Sequence, residues 1–145
     1  MKKLFPLLLL VALIFSCKKE KEQEKSPGCS TSVASISGSY KFTAYMYKAS
    51  AASTEEDYFK ILFPDSCERD DILTFTANGS WTKADAGIVC SIPGNDAGNW
   101  SLSGNAINLN GRPVAIESFD CKKLILVNND VMQPGDKLKI ILARQ

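Results

Sequence analysis

The sequence predicts an all-β domain: an eight-stranded antiparallel up-and-down barrel with one short helix after the first strand. Three observations predict it. Short runs between residues 38 and 143 alternate apolar and polar side chains, the period-two signature of half-buried strands. Tight turn pairs such as Asn78-Gly79 and Gly104-Asn105 join consecutive runs, which makes sequential strands antiparallel neighbours. Closing such a meander removes the exposed edges of an open sheet and favours a barrel over a two-sheet sandwich.

Gly38 to Lys48 (GSYKFTAYMYK) is the first strand, with Tyr40, Phe42, Ala44 and Met46 on one face and Ser39, Lys41, Thr43 and Tyr45 on the other. Ser53-Thr54-Glu55-Glu56 has the spacing of a capping box, and Asp57 to Phe63 follows until Pro64 stops it. This segment is expected to be a short helix that lids one mouth of the barrel with Tyr58, Phe59 and Leu62. Asp71 to Ala77 and Ser80 to Ala84 form a hairpin about Asn78-Gly79. After turn chemistry at residues 92–96, Gly98 to Ser103 places Trp100 and Leu102 on one face. Ala106 to Asn110 follows the Gly104-Asn105 turn, and Gly111-Arg112-Pro113 turns the chain into Val114 to Phe119. Lys122 to Val127 and Lys137 to Ala143 complete the set, the last with Leu138, Ile140 and Leu142 on one face.

Ahead of the domain lie a positive Lys2-Lys3, an apolar run from Leu4 to Phe15, and then Ser16-Cys17. The run is shorter than the roughly 20 residues a spanning helix needs and matches the core of a secretory signal over residues 1–16. Ile14-Phe15-Ser16-Cys17 resembles the lipobox of bacterial lipoproteins. The resemblance implies cleavage before Cys17, diacylglycerol on its sulfur and a further acyl chain, such as palmitate, on its new amino group. Two or more chains hold a protein stably at a membrane without spanning it. The expected location is therefore the cell envelope, as an outer-membrane lipoprotein. Residues 17–28 carry four lysines against three glutamates and no apolar periodicity, so they read as a solvated tether. Lys18-Lys19-Glu20 departs from the acidic surface-sorting signal of Bacteroidetes lipoproteins, which leaves the membrane face open.

Residues 29–145 suffice for one domain with one core. They hold eleven Lys/Arg and thirteen Asp/Glu, a balance that argues against a nucleic-acid partner. With Cys17 lipidated, Cys29, Cys67, Cys90 and Cys121 remain, an even number suited to an oxidising compartment. In a hairpin with a two-residue turn at Asn78-Gly79, partners have numbers that sum to 157, as those of Cys67 and Cys90 do. A three-residue turn with a bulge would shift this by one. The expected disulfides are Cys67–Cys90 and, by elimination, Cys29–Cys121.

Several of these residues together resemble the lipocalin-like domains of Bacteroidetes lipoproteins: Cys67-Glu68-Arg69-Asp70-Asp71-Ile72-Leu73-Thr74-Phe75, Asn78-Gly79-Ser80-Trp81, Cys90, and Gly98-Asn99-Trp100-Ser101-Leu102. Gly38-Ser39-Tyr40 sits where that family's first-strand Gly-x-Trp would be, with tyrosine in place of tryptophan. The likeness covers about residues 36–144. It implies a small barrel on a lipid anchor and no particular chemistry.

The chain has no histidine, which excludes Ser-His-Asp and Cys-His catalysis, and it lacks phosphate-binding glycine loops. Asp70-Asp71 is the best carboxylate pair for a cation or for acid–base work, but neighbours on a strand face opposite ways, which argues for a plain polar strand start. A non-catalytic protein is expected, without cofactor or metal. Tyr40, Phe42, Met46, Phe75, Trp81 and Trp100 are the candidate lining for a small apolar or amphipathic ligand, and equally the candidate filling of a solid barrel. The alternative to a binding module is a cavity-less structural module that touches another envelope component through Tyr45 and Tyr47 on the face opposite Phe42.

Overall fold

The computed structural model of the protein describes residues 29–145. The expected signal segment 1–16, the expected lipidation at Cys17 and the expected tether 17–28 lie outside the described residues. The elements run α1 (Val33–Ile36), β1 (Gly38–Lys48), β2 (Glu56–Asp57), α2 (Phe59–Leu62), β3 (Ile72–Phe75), β4 (Ser80–Ala84), β5 (Asp96–Ser103), β6 (Ala106–Leu109), β7 (Arg112–Phe119), β8 (Lys123–Asn129) and β9 (Lys137–Arg144). A 3-10 turn at Ser66–Glu68 precedes β3.

β1 and β3 to β9 pair antiparallel in chain order, and β1 closes on β9 from Tyr40↔Arg144 to Lys48↔Lys137. This ring is the expected eight-stranded barrel. β3 covers only Gly38 to Lys41 of β1, and β2 pairs with the uncovered stretch at Met46 and Tyr47. The capping-box reading of residues 53–56 is thus corrected: Glu56 is in strand, and one helical turn begins only at Phe59. Ahead of it, the Asp57 carboxylate accepts hydrogen bonds from the Phe59 N–H (2.9 Å) and the Tyr45 N–H (3.2 Å). An open edge beside β1 offered backbone partners that an isolated helix could not.

Antiparallel order sends successive connections to alternate ends of the ring. The closed end carries α1, whose Ile36 is fully buried and whose carbonyl oxygen accepts from the Tyr40 hydroxyl at 2.7 Å. Arg144 stands 5.5 Å above the Tyr40 ring and donates to the Ser37 carbonyl. Cys29–Cys121 ties this cap to the β7–β8 turn, with Cα atoms 5.7 Å apart. Above the cap, Phe75 meets Tyr40 edge-on (6.0 Å between centroids) and Trp100 at 5.0 Å, among buried Ile107, Leu124 and Leu142. The open end carries the longer connections 49–71, 85–95 and 130–136.

The β3–β4 turn has three loop residues, not two. Phe75 faces Trp81, the Thr76 N–H donates to the Ser80 carbonyl (2.9 Å), and Gly79 takes φ +89° as the bulge residue. The β3–β4 ladder stops at Ile72↔Ala84, so Cys67 and Cys90 meet between loops, with Cα atoms 5.3 Å apart, and not as ladder partners. The pair forms as expected, by a different route. Arg112-Pro113, expected as turn, already belongs to β7; the turn is Asn110-Gly111, both at positive φ.

Two bulges break the strict alternation. Thr43 is the extra residue in β1 against β9, and Glu117 the extra residue in β7 against β8. Each reverses which side chains face inward beyond it.

Candidate functional site

The first bulge places the site. Before Thr43, Tyr40 and Phe42 face the interior. After it, Tyr45 and Tyr47 do, opposite Ile140 and Leu138 of β9. Tyr45 stacks on Phe42 (5.8 Å) and Phe59 (5.6 Å) and tilts against Phe63 (5.1 Å). Burial in this aromatic group pushes the Tyr45 phenol well above its ordinary value, so it stays neutral. Tyr47 packs on Tyr58 (5.2 Å) and donates to Asp136 (3.0 Å). Two expectations fall here. Met46 pairs with Lys139 on the outward face and cannot line the interior, and Tyr45 and Tyr47 do not form an outer surface opposite Phe42.

At the open end lies a pocket of about 90 Å³ lined by Phe42, Tyr45, Phe59, Phe63, Glu68, Asp71 and Lys83. One wall is aromatic. The other is charged: Lys83 points inward from β4, opposite Leu73, and pairs with Asp71 at 3.2 Å. Asp71 is 4% exposed, so this ion pair sits at the boundary between core and pocket. α2 covers the aromatic wall through Phe59, with Phe63 just after it; Leu62, expected in the covering face, is turned outward and 40% exposed.

Of the six candidate lining residues, Phe42 alone reaches this pocket. Tyr40, Phe75, Trp81 and Trp100 are buried filling of the closed half. Trp100 Nε1 is satisfied by the Thr76 carbonyl (2.8 Å), whereas Trp81 Nε1 is buried with no acceptor among the described residues. Periodicity identified these aromatics as inward but not their depth. Asp71 was singled out only as half of a carboxylate pair; Glu68, in the 3-10 turn, and Lys83 were missed, Lys83 because a charged residue in a strand defaults to solvent. The one signal for Lys83 was its place two residues after Trp81, on the same face of β4.

Asp70 and Asp71 do not obey strand alternation, because both precede β3, Asp70 in a bend. Contrary to the expectation that they face apart, their carboxylates lie together, and Asp85 from the β4–β5 connection joins them.

The interior of the open half is thus a small amphipathic recess under a one-turn lid. It can hold a group with an apolar body and a polar end. Among known proteins, the family described as lipocalin-like domain matches residues 36–139. No curated protein matches the chain.

Proposed function

Because the chain belongs to the lipocalin-like domain family, we propose that it is a membrane-tethered, non-catalytic binding protein that takes a small amphipathic molecule at the open end of its barrel. The recess between the Phe42–Tyr45–Phe59–Phe63 wall and the Lys83–Asp71 pair carries this reading. At about 90 Å³ it is well below the roughly 300 Å³ of ordinary ligand pockets. As closed, it accepts a short chain or a compact head group; a longer ligand requires α2 to swing away. The tether and the acyl chains on Cys17 would hold the module at the outer membrane, with palmitate among the chains.

Native mass spectrometry of the purified protein, alone and after mixing with fatty acids and lysolipids, tests this. A retained species is expected, weakened in Lys83→Met and Phe59→Ala. No retained species, with unchanged tyrosine fluorescence across the titration, ends the reading.

A second reading rests on a different observation. Ile61, Ile88, Val89, Ile92 and Met132, from three connections at the open end, are each at least 60% exposed. Such a rim suits contact with an envelope protein. In-cell crosslinking from Ile92 should then capture one defined protein; a clean monomer counts against it.

A further inference from the structure

We propose that Asp70, Asp71 and Asp85 form a calcium site that locks the β4–β5 connection onto the strand start of β3. A carboxylate oxygen of each lies within 4.8 Å of those of the other two. Two oxygens bound to one Ca²⁺ at about 2.4 Å can be no farther apart than about 4.8 Å, so each pair in the cluster meets the limit that a shared ion sets.

Proximity alone would not make a site. The decisive observation is how the six oxygens divide. On each aspartate, Oδ2 has a defined donor: Ile88 N–H for Asp70 (2.8 Å), Lys83 Nζ for Asp71 (3.2 Å) and Cys90 N–H for Asp85 (3.0 Å). On each, Oδ1 is buried and has no donor among the described residues. Asp71 is more than nine-tenths buried, with its carboxylate in the cluster. Buried carboxylate oxygens are costly to leave unmet, and one lysine cannot serve all three. A cation bound by the three carboxylates would give these oxygens a partner that the protein itself does not supply.

The surrounding chain is built to hold this arrangement. Cys67–Cys90 clamps the segment bearing Asp70 and Asp71 to the one bearing Asp85. Gly87, at φ +65°, lets the backbone pass so near Asp70 that a Cβ there would stand 2.5 Å from its Oδ2. The donor chemistry selects the ion. All ligands are carboxylate oxygens, the chain has no histidine, and the described cysteines are all in disulfides, which points away from zinc and towards a hard cation. All three aspartates come from connections, and such irregular geometry suits Ca²⁺ better than Mg²⁺, which demands a near-ideal octahedron. Backbone carbonyls and water would complete the shell.

Asp71 also borders the amphipathic recess, but calcium binding does not depend on a ligand there, and the two ideas fail separately. The test is calorimetric titration of the whole EDTA-stripped protein with CaCl₂, then MgCl₂, alongside thermal unfolding with and without Ca²⁺. One saturable Ca²⁺ site is expected, in the range of about 10⁻⁴ to 10⁻³ M typical of extracellular modules, with a raised Tm and weaker Mg²⁺ binding. Asp70→Asn and Asp85→Asn should each weaken Ca²⁺ binding at least about tenfold, and Glu117→Gln, outside the cluster, should not change it. No saturable binding and no Tm shift at millimolar Ca²⁺ in the unaltered protein would overturn the proposal. So would full binding by the folded Asp70→Asn/Asp85→Asn double variant.

Discussion

Tyr45 shows how much one inserted residue decides. Its ring is packed among Phe42, Phe59 and Phe63, while its neighbour Met46 faces outward opposite Lys139. Truncating a packed aromatic leaves a cavity that the surroundings only partly fill. Tyr45→Ala should therefore cost about 2–3 kcal/mol and Met46→Ala less than about 1 kcal/mol, as read from denaturant midpoints at constant slope. The opposite ranking would mean that Thr43 is not bulged. Asp136 makes a second residue-scale claim. Burial opposes its charge, but the N–H groups of Met132, Val131 and Gln133 and the Tyr47 hydroxyl bond to it and hold its carboxyl below the usual carboxylate range. A carboxyl depressed on folding stabilises above its unfolded value, and that contribution is lost as pH falls through the lowered folded value. Acid unfolding should accordingly be shallower in Asp136→Asn than in the parent, with a lower Tm at neutral pH. Parallel Tm–pH curves for the two would refute it.

At the scale of elements, the β3–β4 hairpin was legible because its cues are local. Asn78-Gly79 announces a turn, and Phe75 and Trp81 alternate correctly into it. The choice between two and three loop residues was not legible, since Gly79 serves either geometry. Cys67–Cys90 closes a sequence separation of 23 residues, and removing it by Cys67→Ala/Cys90→Ala should cost about 2–4 kcal/mol through the freed unfolded chain. Equal unfolding midpoints with and without the bond would contradict this. α2 failed the other way. Residues 53–56 have helix-start spacing, yet the unpaired stretch of β1 at Met46 and Tyr47 recruits Glu56–Asp57 as strand. A capping box contributes about a kilocalorie per mole, and a tertiary edge with backbone groups to satisfy outweighs it. α1 gave no sequence cue, because a four-residue helix has no periodicity to detect.

For the whole molecule, the two ends of the barrel divide the work. The closed end holds Ile36, Tyr40, Arg144 and Cys29–Cys121, and the open end holds the recess, the three aspartates and the apolar rim. A lipid anchor on Cys17 would leave the tether to join the closed end at Cys29, with the open end free to meet its ligand. Cys17→Ser should abolish labelling by an alkyne palmitate analogue and release the protein from the membrane fraction. Labelling retained in that variant would refute the anchor.

Period-two alternation and turn pairs were enough to predict an antiparallel meander of eight strands, and an even cysteine count predicted disulfides, whose pairing came from hairpin arithmetic and elimination and held although the two loops, not a ladder, bring Cys67 to Cys90. Only the tertiary structure decided which side chains reach the recess and that Asp85 joins Asp70 and Asp71. The bulge at Thr43 exists to match β1 to β9, nearly a hundred residues on, and the aspartates meet only when two connections are brought together at one end of the ring. Distances set by closure leave no trace in the local pattern of either segment.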